Sequence, residues 1–137
     1  MLAVAMQPGL PQSTMLLVTA RILPPDVTSK AVRIDYSIDL SGVNFADTVD
    51  HRKRALLDCM VVALDRTGNI AGQVANTMDA ALRPEEFSTF QRTGLPLHQE
   101  LVLSPGTYDL RVGVLDRGSQ RIGTVNVPLV VSLEEAK

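Results

Sequence analysis

One cysteine is too few for an intramolecular disulfide, so this fold must stand on its core. Its 137 residues suffice for that, since a chain this long buries roughly two thirds of its unfolded surface. That cysteine count is also neutral on compartment. Tryptophan is absent and aromatics make up 4% of residues, so platforms for stacking bases or sugar rings are scarce. Basic charge is not in excess either. Lys+Arg 13 against Asp+Glu 15 leaves a net charge of -2, which argues against a protein that lives on phosphate contacts. No apolar stretch approaches the roughly twenty residues of a membrane span.

What is present is aliphatic. Hydrophobic residues reach 45% and charged residues 20%, which excludes an intrinsically disordered chain. The clearest pattern runs through Val32, Ile34, Tyr36, Ile38 and Leu40, alternating with Arg33, Asp35, Ser37, Asp39 and Ser41. Period two over that length predicts a strand with one face in the core and one in water. A first strand precedes it, over residues 15–23, stopped by Pro24-Pro25. Residues 42–53 are polar and read as a connection. Residues 55–64 are apolar on both faces, as suits a central strand covered on both sides or partly under a loop. The turn Asp65-Arg66-Thr67-Gly68-Asn69 leads to a return strand over residues 70–78. Pro84 at a first helical position, Glu85 and Glu86 in the first turn, and Arg92 and Gly94 at the end predict a short helix. Further strands follow over residues 97–103, 108–115 and 121–131.

About seven strands with turns at short intervals predict an all-β, immunoglobulin-like (fibronectin III-like) sandwich, with the helix between strands four and five. The segment from Leu103 through Ser104-Pro105-Gly106-Thr107 to Tyr108 has the form of a tyrosine corner, with Leu110 as the core residue two further on. Residues 1–14 read as an N-terminal arm or linker, residues 15–131 as the sandwich, and residues 132–137 as a polar tail. Residues 1–6 lack the preceding basic residues of a signal peptide, and Pro8 and Pro11 interrupt the run.

Catalytic signals are sparse. His51 and His98 have no Cys or carboxylate at metal-ligand spacing, no Ser sits in a Gly-x-Ser-x-Gly elbow, and no Gly-rich phosphate loop exists. Asp65, Asp79 and Asp116 fall near strand ends, but the spaced acids of a calcium loop are missing; capping accounts better for Asp65 and Asp116. Cys59 lies in an apolar run and reads as a buried small hydrophobe. The expectation is therefore no catalytic residue, no cofactor and no metal. Two features invite contact with a partner. Leu2, Val4 and Met6 alternate with alanines, as a strand donated to an edge would. Arg52, Lys53 and Arg54 form the one basic run, suited to an acidic partner.

The residues also resemble a family. Leu82 to Phe87, Thr93 to Pro96, the Pro-Gly-x-Tyr-x-Leu-Arg-x-Gly-Val-x-Asp pattern ending at Asp116, and Arg121-Ile122-Gly123-Thr124 leading to Val127-Pro128-Leu129 resemble the C-terminal β-rich region of bacterial von Willebrand factor A-related domain proteins. Ala20 to Asp26 fits the start of that region. The resemblance implies an exported protein, extracellular or periplasmic, whose C-terminal module is not catalytic. Asp35-Tyr36-Ser37-Ile38-Asp39 fails the Asp-x-Ser-x-Ser metal motif at its last position, so metal-dependent adhesion is not implied. The expected function is a non-enzymatic structural or protein-interaction module, acting by loop contacts or edge-strand addition. Its partner is another protein or a second copy joined through the arm, with no nucleic acid and no membrane span. The alternatives are a carbohydrate-binding module, disfavoured by scarce aromatics, and a hydrolase, which needs a histidine beside a carboxylate and a serine.

Overall fold

The computed structural model describes residue 6, residues 16–23 and residues 31–131. Eight strands and one helix follow one another: β1 (Val18–Leu23), β2 (Ala31–Ile38), β3 (Ala46–Asp47), β4 (Lys53–Leu64), β5 (Ile70–Leu82), α1 (Pro84–Thr93), β6 (Leu95–Val102), β7 (Gly106–Asp116) and β8 (Arg121–Val131). All pairings are antiparallel. The smaller sheet has the order β1-β2-β6. In the larger, β5 and β4 pair, β4 continues to β7, and β7 to β8. Strand β3 pairs with Lys53 and Arg54, just beyond the end of the β4–β7 ladder.

The sandwich expectation holds, with two corrections. Among the described residues the count is eight rather than about seven, because Ala46–Asp47 inside the polar connection forms a two-residue strand. The helix consequently falls between the fifth and sixth strands. Two residues are too short to show a period, so β3 had no pattern to betray it. Strand β5 also runs four residues past its predicted end, since Asp79 and Ala81 face outward while Ala80 and Leu82 are buried.

The core lies between the sheets. Val32, Ile34, Tyr36 and Ile38 of β2 meet Leu57, Cys59 and Val61 of β4 and Leu110, Val112 and Val114 of β7. Each such aliphatic side chain contributes about 1.5–3 kcal/mol on burial. One polar chain crosses this core. The Tyr36 hydroxyl donates to Gln99 Oε1 at 2.9 Å, and Gln99 Nε2 donates to Asn76 Oδ1 at 2.9 Å and to the Cys59 carbonyl at 3.4 Å. Burial pushes the Tyr36 hydroxyl and the Cys59 thiol up from their ordinary values, so both stay protonated. Cys59 is the buried small hydrophobe its surroundings suggested.

A second apolar cluster lies on the outside of the larger sheet. There Met6 packs with Val62 and Leu64 of β4 and Leu115 of β7, and Met60 and Ile122 flank them. Strand β4 is thus apolar on both faces because both faces are covered. On the outward side of β7, Arg111 and Leu115 are also buried.

The ends are closed by specific contacts. Tyr108 donates its hydroxyl to the Ser104 carbonyl at 2.5 Å, and Leu110 beyond it is fully buried, completing the tyrosine corner. The Leu16 N–H donates to the Ile122 carbonyl at 3.3 Å, so the chain touches β8 before it enters β1. That approach leaves Gly123 no room. A Cβ there would stand 2.3 Å from the Leu16 carbonyl oxygen. Helix α1 begins as its sequence requires, with Glu86 Oε1 accepting from the Arg83 N–H at 2.9 Å. Its Phe87 ring meets Phe45 edge-on at 5.1 Å.

Candidate interaction face

Inward burial of Val32, Ile34, Tyr36 and Ile38 forces Arg33, Asp35 and Ser37 outward on β2. Register then aligns their neighbours. Thr19, Ser37 and Pro96 form one row across β1, β2 and β6. Arg21, Asp35 and His98 form the next, and Arg33 opposite Glu100 belongs to the third. Residues paired in this way have Cβ atoms about 4.5–5.5 Å apart. All of these residues but Glu100 line an open hollow of about 580 Å³ on the outer face of the smaller sheet.

The contacts within the hollow are few. Arg33 Nε donates to Asp35 Oδ1 at 2.7 Å. The Thr19 and Ser37 hydroxyls lie 2.9 Å apart, one donating to the other. Among the described residues, Arg21 and His98 make no ion pair or side-chain hydrogen bond. His98 is the solvent-facing strand residue the sequence suggested.

The hydrolase alternative required a histidine, a carboxylate and a serine together. The fold does bring His98, Asp35 and Ser37 onto one face. No hydrogen-bonded chain links them among the described residues: Asp35 is held by Arg33, and Ser37 by Thr19. Tyr36 faces the core and offers no ring to a sugar.

The basic run lies elsewhere, at the start of β4, and each of its cations has an acid of its own. Arg52 Nε is 3.1 Å from Asp50, Lys53 Nζ is 2.5 Å from Asp47, and Arg54 holds Asp79 by two bonds of 2.9 Å. Lys53 also stands 5.9 Å from the centre of the Phe87 ring. Of the arm residues, Leu2 and Val4 lie outside the described residues. Met6 lies buried on the outer sheet face. His51 occupies an exposed turn with φ of 64°.

Of the acids expected at strand ends, Asp65 and Asp116 cap turns, while Asp79 lies within β5. Asp65 accepts from the Thr67 and Asn69 N–H groups, which, led by the Thr67 hydroxyl, hold its carboxyl below the usual range. Asp116 accepts from the N–H groups of Asn44, Gly118 and Ser119. Among the described residues, no three His, Cys, Asp or Glu side chains converge as metal ligands. None of their helices is long and apolar enough to cross a membrane.

The register rows were hidden in the sequence because they join residues of three strands, two of them close in the chain and the third some sixty positions further on. The signal available was the polar half of the β2 alternation, which named Arg33, Asp35 and Ser37 of the eight side chains in these rows.

No family model matches the chain. No curated protein matches it either. Among solved structures, a β-glucuronidase of glycoside hydrolase family 2 is similar at TM-score 0.49 and 11% identity, over 85% of this chain. This chain spans 13% of that enzyme's length. A candidate ApaA protein from Bordetella pertussis is similar at TM-score 0.39 and 13% identity, with 86% of this chain and 93% of that one covered. The structural-genomics target SoR45 is similar at TM-score 0.35 and 10% identity, with coverages of 87% and 86%.

Proposed function

We propose that this chain is a non-enzymatic protein-interaction module whose contact surface is the outer face of the smaller sheet. The observation that carries the reading is the hollow over β1, β2 and β6, where Arg21 and His98 have no partner among the described residues. Four exposed cations elsewhere are spent within the molecule: Arg52, Lys53, Arg54 and Arg117 each stand within 4 Å of an acid. A side chain already paired gains less from a partner, because an existing bond must break first. Non-catalytic work is supported by the broken chain between His98, Asp35 and Ser37. An exported, bacterial setting belongs to the same proposal and rests on the resemblance to von Willebrand factor A-related proteins.

Two measurements test the reading. Arg21→Ala with His98→Ala should fold normally and lose the proteins that the unaltered chain enriches from extracts of its source, while Arg92→Ala on α1 keeps them. Equal enrichment by all three places the contact elsewhere. Hydrolysis of p-nitrophenyl acetate should not differ between the unaltered chain and His98→Ala. A His98-dependent rate would make the protein an esterase-like catalyst instead.

A further inference from the structure

The following rests on the reading of the hollow as the interaction surface and names the chemistry of its partner. The lining holds two guanidiniums, Arg21 and Arg33, against one carboxylate, Asp35. Asp35 is engaged by Arg33 through Nε, and the remaining acid of this face, Glu100, lies one row away, opposite Arg33. The two rows beyond it are therefore rich in donors: Arg21, His98 and the hydroxyls of Thr19 and Ser37. One of those two hydroxyl protons is used between them, which leaves the other for a ligand.

We propose that this hollow binds an acidic peptide segment of a partner protein, with a ligand carboxylate taking donors from Arg21, His98 and the Thr19–Ser37 hydroxyl pair. A guanidinium presents paired N–H groups that match a carboxylate. The site is an open sheet face three strands wide, which suits an extended segment better than an enclosed small molecule. Its attraction is local. The chain as a whole carries -2, so a long polyanion would meet repulsion away from the hollow.

The probe is hexaglutamate, titrated into the full ¹⁵N-labelled chain and followed by amide shifts, with hexalysine and inorganic phosphate as separate arms. The expected result is a set of shifts grouped on residues 19–21, 35–37 and 96–98, saturating at millimolar peptide. Affinity should be at least fivefold weaker in Arg21→Gln. Hexalysine should leave these amides unmoved. No grouped shifts with hexaglutamate, equal shifts with hexalysine, or an unchanged titration in Arg21→Gln would overturn the proposal. Phosphate binding as tightly as the peptide would overturn the peptide and leave a simple anion site. If hexaglutamate fails while Arg21→Ala with His98→Ala still abolishes enrichment, the face remains the contact surface and only the partner's chemistry is wrong. If both fail, the proposed function fails with it.

Discussion

Two tyrosines show how surroundings decide what a hydroxyl is worth. Tyr36 donates to Gln99 inside the core, where both residues are buried, so removing the donor strands Gln99 Oε1 without water. Tyr108 donates to the Ser104 carbonyl at the surface, where water can replace it. Tyr36→Phe should therefore cost about 1–3 kcal/mol and Tyr108→Phe about 0.5–1.5 kcal/mol. Urea melts of the two variants check the order, and a larger loss in Tyr108→Phe would mean that the corner, not the buried amide, organises this half of the core. The corner itself was legible in the sequence, because Pro105-Gly106 and the Tyr108–Leu110 spacing are local. The Tyr36–Gln99–Asn76 chain was not, since its partners come from three strands and Gln99 looks like any polar strand residue.

Between elements, two joints hold neighbouring segments together. The first is the crossing of the chain before β1 over β8. At Gly123 a Cβ would meet backbone, the Leu16 carbonyl oxygen, which cannot rotate away as a side chain could. Gly123→Ala should cost about 1–3 kcal/mol. Hydrogen exchange should also quicken at the Leu16 N–H, whose acceptor is the adjacent Ile122. An unchanged melt and unchanged exchange would show that this crossing adjusts freely. The second joint is the clamp of Arg117 on Asp58, with Nη2 2.9 Å from Oδ1 and Thr77 also donating to Asp58. It fastens the loop after β7 to β4 and β5. Arg117 foremost holds the Asp58 carboxyl below the usual range. A depressed carboxyl contributes stability that is present above its unfolded value, near 3.9, and is lost as pH falls through the folded value. Thermal melts from pH 6 down to pH 2 should therefore fall less steeply in Asp58→Asn than in the unaltered chain, with the variants differing by at most about 1 kcal/mol at pH 7. Parallel curves would show that the clamp contributes nothing to acid lability. Element boundaries were legible where proline, glycine or acids punctuate the chain, as at Pro84, Gly94 and Gly106. They were missed where tertiary pairing extends a strand, as at the end of β5.

As a whole, the molecule has two outer faces of opposite character. That of the larger sheet is apolar at its centre and is occupied by Met6, with Arg111 buried on the same face. The sequence hinted at this through the two-sided apolar run of β4, but nothing local could say what covers it. That of the smaller sheet is polar and open, and its rows of charge arise only once β1, β2 and β6 are in register. The fold class was therefore readable from periodicity, whereas the candidate face is a property of long-range pairing. The central claim is that contact with a partner occurs on this second face. Its most direct measurement places the photo-crosslinking residue benzoylphenylalanine at Thr19 in one variant and at Thr77, on the outer face of the larger sheet, in another. Irradiation in source extract should give a discrete protein adduct from position 19 and none from position 77. An adduct from position 77 alone would contradict the account and move the interaction to the opposite side of the sandwich.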